Sequence, residues 1–390
     1  MNRSPAAAPL VAASARVDTR LHYIDALRGI AALLVVWLHV ADAFLHVDGG
    51  IVRGAWLREL AAGVDVGRVG VVAFFLISGF VIPFSIEPTR PAPVATFLIK
   101  RFFRIFPAYW LSIPLGALTG FWLLGGKFGG LDLLGNLTLL QGWLGVPEAE
   151  GLYWTLRVEL VFYALCIVLL LVNSLQNIRR VAAVAIVFGF VHSLAMLMSW
   201  FKSPIMSADA AFWYLNLSMM LCGTLYRDLV MRGSSAHDGR LRACILGVLV
   251  YYLVIFPAGA VWAIGFERNA PVAYALGLLL FVVATSFVRI ESRLTDWLGR
   301  ISYSVYLFHP VVFLTLLWWL ARQPPGSWSR TQHLGVYLLA NLLLTLLLAH
   351  LVYRWIERPS IHLGHRLAHA YRVRACNRCA QISTKYPPEA

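Results

Sequence analysis

RLHYIDALRGIAALLVVWLHV, residues 20–40, is the stretch that decides the fold. Residues 29–38, GIAALLVVWL, carry no charged side chain. With their flanks they make an apolar run over 26–45, and a helix needs roughly 20 such residues to cross a bilayer. Arg16 and Arg20 stand just before the run. They mark its start as the cytoplasmic side.

The rest of the chain follows the same pattern. Of 390 residues, 59% are hydrophobic and 13% charged, and the mean hydropathy is +0.71. Soluble domains carry about 25% charged residues, so this composition is not that of a water-soluble core. Lys and Arg number 33 against 19 Asp and Glu, a balance of +14. In a soluble protein that excess points to nucleic acid. Here it reads as loop charge beside a lipid bilayer, and no nucleic-acid partner is expected. Residues 1–20 are Ala- and Pro-rich with no apolar core. They read as a disordered cytoplasmic N-terminus without a cleaved signal peptide.

Apolar runs between charge clusters predict spans at 26–45, 69–86, 105–124, 153–172, 181–200, 211–226, 243–264, 270–288, 298–320 and 334–356. The stretch 131–146, LDLLGNLTLLQGWLGV, is too short and Gly-punctuated to span and reads as interfacial or re-entrant. With the N-terminus inside, 24 Lys and Arg residues fall in cytoplasmic segments and eight in outer loops. That asymmetry follows the positive-inside rule. The expected architecture is an all-α integral membrane protein, a bundle of about ten transmembrane helices with both termini cytoplasmic. The membrane domain is 21–360, and 361–390 is a basic cytoplasmic tail. Cys376 and Cys379 form a C-x-x-C there, without the partners a metal site needs. No metal is expected.

Charged residues inside a membrane are costly and point to function. Four places stand out. In the first span, Asp25 and Arg28 can pair on one face. His39 shares that face eleven residues on, roughly 16 Å along the axis. It reads either as a catalytic imidazole or as a buried histidine bonded to a neighbouring helix. At the third span, Arg101 and Arg104 alternate with Phe102, Phe103 and Phe106. Arginine forks suit phosphates and aromatic faces suit a stacked base, although flanking positive charge is the plainer reading. In the fourth span, Arg157 and Glu159 are two apart and need separate partners. Counted from opposite surfaces, Glu159 and His39 fall at nearly equal depth, which predicts a His–carboxylate contact or a structural ion pair. In the ninth, Ser302, Tyr303, Ser304, Tyr306 and His309 make an unusually polar membrane segment, and Pro310 frees a backbone carbonyl. Glu357, Arg358 and Pro359 mark the exit of the last span.

With these segments in view, the sequence resembles the acyltransferase 3 family over about residues 20–360. The resemblance rests on D-x-L-R-G at Asp25 to Gly29 with His39 downstream, FFLISGF at Phe74 to Phe80, and R-x-x-R at Arg101 and Arg104. It continues with W-T-L-x-x-E at Trp154 to Glu159, S-Y-S-x-Y-L-x-H at Ser302 to His309, and E-R-P at Glu357 to Pro359. It implies a plasma-membrane acyltransferase that moves an acyl group, usually acetyl, from cytoplasmic acyl-CoA. The acceptor is a hydroxyl of a sugar, polysaccharide precursor or glycolipid at the outer face. On this reading Arg28, Arg101 and Arg104 hold the acetyl-CoA phosphates. His39 is the general base or a transient acyl carrier, and Glu159 orients His39 or binds the acceptor. His309 and Tyr303 either support these groups from behind or stabilise the oxyanion, with Asp25 and Trp154 in support. A proton-coupled transporter is the rival class, since buried His and Glu suit one. The chain has no matched pair of broken helices to favour it.

Overall fold

The computed structural model describes residues 21–201, 208–232, 238–262 and 269–385. The N-terminal segment 1–20 and the side chain of Cys379 lie outside this description. Among the described residues the chain is helical, with no strand. In order come α1 (His22–Ala43), α2 (Trp56–Gly63), α3 (Val66–Val81), α4 (Pro93–Gly120), α5 (Gly130–Leu137), α6 (Tyr153–Leu171) and α7 (Ile178–Trp200). They are followed by α8 (Ala208–Arg232), α9 (Gly239–Val250), α10 (Phe256–Trp262), α11 (Asn269–Ser286), α12 (Arg293–Leu320), α13 (Leu334–Val352) and α14 (Arg358–Lys385).

Among the described residues, eight helical segments are long and apolar enough to cross a membrane. The remaining two predicted spans fall in α4 and α8, which have the length, 28 and 25 residues, but a more polar composition. Lys100, Arg101 and Arg104 sit in the first half of α4. The stretch 131–146 holds only the eight-residue α5. The side chains are distributed as lipid requires. On α13, Leu339, Leu343, Leu347 and Leu351 form an exposed stripe at i+4 spacing, while Asn341 and Thr345 are fully buried. Such a leucine face would be an aggregation surface in water.

Helix α1 lies at the centre, packed against α3 and α12, and α3 continues the layer onto α8 and α11. Close approach comes from small residues, as is usual between membrane helices. A Cβ at Gly79 of α3 would fall 1.7 Å from the Met220 carbonyl of α8, and one at Gly223 of α8 2.1 Å from that of Leu76. The starts of α1 and α12 are tied by His22 Nδ1 and Asp296, 2.9 Å apart. Arg104 of α4 meets Glu357 beyond α13. These contacts gather Arg28, Arg101, Arg104 and Arg289 at one end of the bundle, the basic end. At the other end, the Leu334 amide donates to the Arg53 carbonyl (2.8 Å) and Arg330 pairs with Asp48.

The segment expected as a membrane exit and basic tail is helical, and the helix does not end at Pro359. The π-helical turn Tyr353–Glu357 precedes it, and the chain continues directly into α14, which packs along α4. A wider turn of this kind lets a helix pass a residue that lacks its N–H.

Candidate functional site

Pro310 lies inside α12. Having no N–H, it leaves the carbonyl four residues back, that of Tyr306, without its helical partner. His309 takes up that carbonyl: its Nδ1 lies 2.7 Å from the Tyr306 oxygen. The hydrogen there must belong to the imidazole, so His309 Nε2 carries a lone pair. His39 Nδ1 is 2.8 Å from that Nε2, with the two rings only 10° from coplanar. His39 Nδ1 is then the donor and His39 Nε2 is left free to take a proton. The chain runs from a backbone carbonyl through two imidazoles to a base. His309 is fully buried, while His39 opens onto a chamber of about 940 Å³.

The far wall of this chamber, called outer because it lies away from the basic end, is the loop between α5 and α6. Asn136 holds it inward, donating from Nδ2 to the Pro147 carbonyl (2.8 Å) and accepting from the Ala149 amide (3.1 Å). Glu148 pairs with Arg157 of α6. Glu150, lining the chamber with His39, Arg68 and Trp154, is 5% exposed, and neither carboxylate oxygen has a hydrogen-bond partner. It sits against Gly116 of α4, where a Cβ would come within 2.5 Å of its Cγ. Burial pushes the Glu150 carboxyl well above the usual carboxylate range.

Nearer the basic end is an inner chamber of about 70 Å³, lined by Arg28, Ser78, Thr155, Glu159, Ser302 and Tyr303. Tyr306 and Val71 line both chambers. The Tyr306 hydroxyl is 2.8 Å from Thr155 Oγ1 and 3.3 Å from the Leu152 carbonyl. Arg28 has Arg104, Asp25, Glu159 and Arg101 as electrostatic neighbours, and its Nε is buried without a partner. Arg101 donates to Ser85 Oγ (2.9 Å) and lies over the rings of Phe97 and Tyr163. Arg104 is 3.9 Å from Glu357, which also accepts from Ser304 Oγ (2.8 Å).

Two sequence expectations are corrected. Glu159 does not meet His39: it accepts from the Tyr163 hydroxyl (2.5 Å) in the inner chamber, and His309 holds the position beside His39. The depth estimate assumed that α6 starts at the membrane surface, whereas it starts beneath the folded-in loop, with Tyr153 fully buried. Trp154 reaches the outer chamber, and Glu159, roughly 7.5 Å further along the helix, lies past it. Tyr303 donates to the Ile105 carbonyl (2.9 Å), so its proton ties α12 to α4 and is not available to an oxyanion. Sequence reasoning misses Glu150, and it singles out Glu357 and Tyr306 without the partners they have here. The signals were in the sequence: two carboxylates in PEAEG just before the W-T-L motif, a carboxylate beside Pro359, and a carbonyl four residues ahead of Pro310. Among the described residues, no three His, Cys, Asp or Glu side chains converge as metal ligands.

The family model Acyl_transf_3, described as "Acyltransferase domain", matches residues 21–350. "Nodulation protein 10" of Rhizobium leguminosarum bv. viciae is 29% identical over 338 residues, 76% of this chain and 86% of that protein. "Putative membrane-bound transacylase BcsY" of Komagataeibacter xylinus is 24% identical, covering 73% of this chain and 71% of its own length. "Putative peptidoglycan O-acetyltransferase YrhL" of Bacillus subtilis (strain 168) is 23% identical over 88% of this chain and 55% of its own length. No solved structure matches.

Proposed function

We propose, from the premise that this chain belongs to the Acyl_transf_3 family of acyltransferases, that it moves an acetyl group from acetyl-CoA to a sugar hydroxyl across the bundle. The donor enters at the basic end, which faces the cytoplasm, and the acceptor enters the outer chamber. The observation that carries this reading is the Tyr306–His309–His39 chain, which leaves His39 Nε2 as a base in the larger chamber while Arg28, Arg101 and Arg104 gather at the smaller one. The name of the Bacillus relative, a peptidoglycan O-acetyltransferase, supports a carbohydrate acceptor and an acetyl donor.

Arg101 and Arg104 bind the donor phosphates, and Arg28 guides the pantetheine arm, whose length is comparable to the roughly 16 Å from Arg28 to His39 along α1. Glu159 and Tyr163 position these arginines. The acceptor hydroxyl gives its proton to His39 Nε2 as its oxygen attacks the thioester carbon. His39 Nδ1–H donates to His309 throughout, which steadies the imidazolium. The carbon–sulfur bond breaks, the proton returns from His39 to the thiolate, and free CoA and the ester leave. Glu150 accepts or shares a hydrogen bond from the sugar. His39→Ala, with expression and membrane insertion verified, should lower acetyl transfer by roughly 10²–10⁴-fold. A rate near that of the wild type would remove His39 from the reaction.

A further inference from the structure

We propose that the basic end holds a second anion site, a cleft for a phosphate monoester built by Thr96 and Lys100 of α4 and Arg372 of α14. Thr96 and Lys100 are four residues apart and share a helix face. Helix α14 is fixed against α4 by two contacts. The Ser360 hydroxyl donates to the Phe103 carbonyl (2.5 Å), and a Cβ at Gly364 would come within 2.6 Å of Phe103 Cβ. Eight residues beyond Gly364, roughly 12 Å along the helix, Arg372 meets Lys100 and Thr96 in one cleft, with Arg90 and Glu87 at its rim.

The charges in this cleft do not balance. Lys100 has Arg372, Arg101 and Arg90 as cationic neighbours and Glu87 as its carboxylate neighbour. His365 of α14 also faces Lys100. Glu87 is taken up by Arg90. Among the described residues, neither Lys100 nor Arg372 has an ion-pair partner. The hydrogen bonds do not balance either. Thr96 is 8% exposed and its hydroxyl has no partner, and the Arg372 Nε is buried without one. Unmet buried donors beside excess positive charge are what a compact, multiply charged oxyanion satisfies. A phosphate monoester supplies three acceptor oxygens and close to two negative charges.

Two sources carry that group. One is the 3′-phosphate of CoA, and this source rests on the donor assignment above. The cleft adjoins it, since Ser85 lines the cleft and accepts from Arg101. The other is a phosphatidate headgroup of the surrounding leaflet.

The test uses the full chain in phosphatidylcholine nanodiscs. Calorimetric affinities are measured for CoA and for 3′-dephospho-CoA, and retention of added phosphatidate is followed by native mass spectrometry. For wild type, CoA should bind about 10- to 100-fold more tightly than dephospho-CoA, the scale of a charge-assisted contact. Lys100→Gln with Arg372→Gln should erase that difference and leave dephospho-CoA binding unchanged. Lys100→Arg, which keeps the charge, should preserve it. If wild type binds the two nucleotides alike, and the double variant loses phosphatidate retention, the site stands with the lipid as its source. A double variant that keeps both the nucleotide discrimination and phosphatidate retention overturns the site. Wild type that binds neither nucleotide overturns the donor assignment instead, and the phosphatidate arm still decides the cleft.

Discussion

Pro310→Ala separates the proposed catalytic chain from simple fold integrity. The substitution supplies an N–H at position 310, which can close the ordinary helical bond to the Tyr306 carbonyl. That carbonyl is the acceptor of His309 Nδ1 at 2.7 Å. Competition for it frees the His309 ring to change tautomer, and His309 Nε2 no longer reliably accepts from His39. A neutral hydrogen bond contributes about 0.5–1.5 kcal/mol net, so kcat should fall roughly 2- to 12-fold with little change in the acceptor KM. Stability should move the other way or hold, because a proline in a helix interior costs about 3 kcal/mol. The assay pairs thiol release from acetyl-CoA, at saturating acceptor, with thermal unfolding of the reconstituted protein. A slower enzyme that unfolds at the same or a higher temperature supports the chain. A variant with unchanged kcat would refute the claim that the freed carbonyl sets the tautomer of His309.

Two further outcomes test other parts of the structure. Burial pushes the Glu150 carboxyl well above the usual carboxylate range, toward its neutral form. Glu150→Gln, which keeps the shape and a donor, should therefore stay within a few-fold of wild type. Glu150→Ala should raise the acceptor KM about tenfold, the worth of a hydrogen bond in a buried site. In the packing, Gly79→Ala drives a methyl to 1.7 Å from the Met220 carbonyl, and backbone cannot yield as a side chain does. A destabilisation of about 1–3 kcal/mol or more should appear as a lower unfolding temperature.

How far the molecule was legible depends on which physical rule each residue obeys. Periodicity and cost in lipid are local rules, so His39, Arg28, Arg101, Arg104 and His309 stood out one span at a time. The structure places Arg28 and His39 on the two chambers, His309 buried directly behind His39, and Arg101 and Arg104 beside Arg28 at the basic end. Partnership is not local. The contact of His39 with His309 joins residues 270 apart, and no spacing rule reports it. Depth counting failed for Glu159 for a related reason: the origin of the count was set by the loop at 138–152, whose inward fold rests on Asn136 rather than on any apolar pattern. The same loop hides Glu150, since a carboxylate between a proline-capped turn and a span reads as solvated until its burial is known. At the C-terminus, E-R-P reads as the exit of the last span, which says nothing of whether the helix goes on beyond it. A π-turn just before Pro359 carries the helix onward into α14.

The unequal chambers bear on how the proposed reaction avoids hydrolysis. Water and a sugar hydroxyl offer the same proton to His39, and a base exposed in about 940 Å³ cannot choose between them by basicity. Selectivity then depends on where the thioester waits. The inner chamber is small, about 70 Å³, and Tyr306 stands between it and His39. One tether of Tyr306 is the Leu152 carbonyl, two residues from Glu150 on the same inward-folded loop. An acceptor that engages Glu150 therefore pulls on the segment that holds Tyr306, and water, too small to span from Glu150 to His39, does not. Under the proposed function, acceptor binding at Glu150 and the position of Tyr306 would be linked through the Leu152 carbonyl, and the thioester would be exposed after the acceptor binds rather than before.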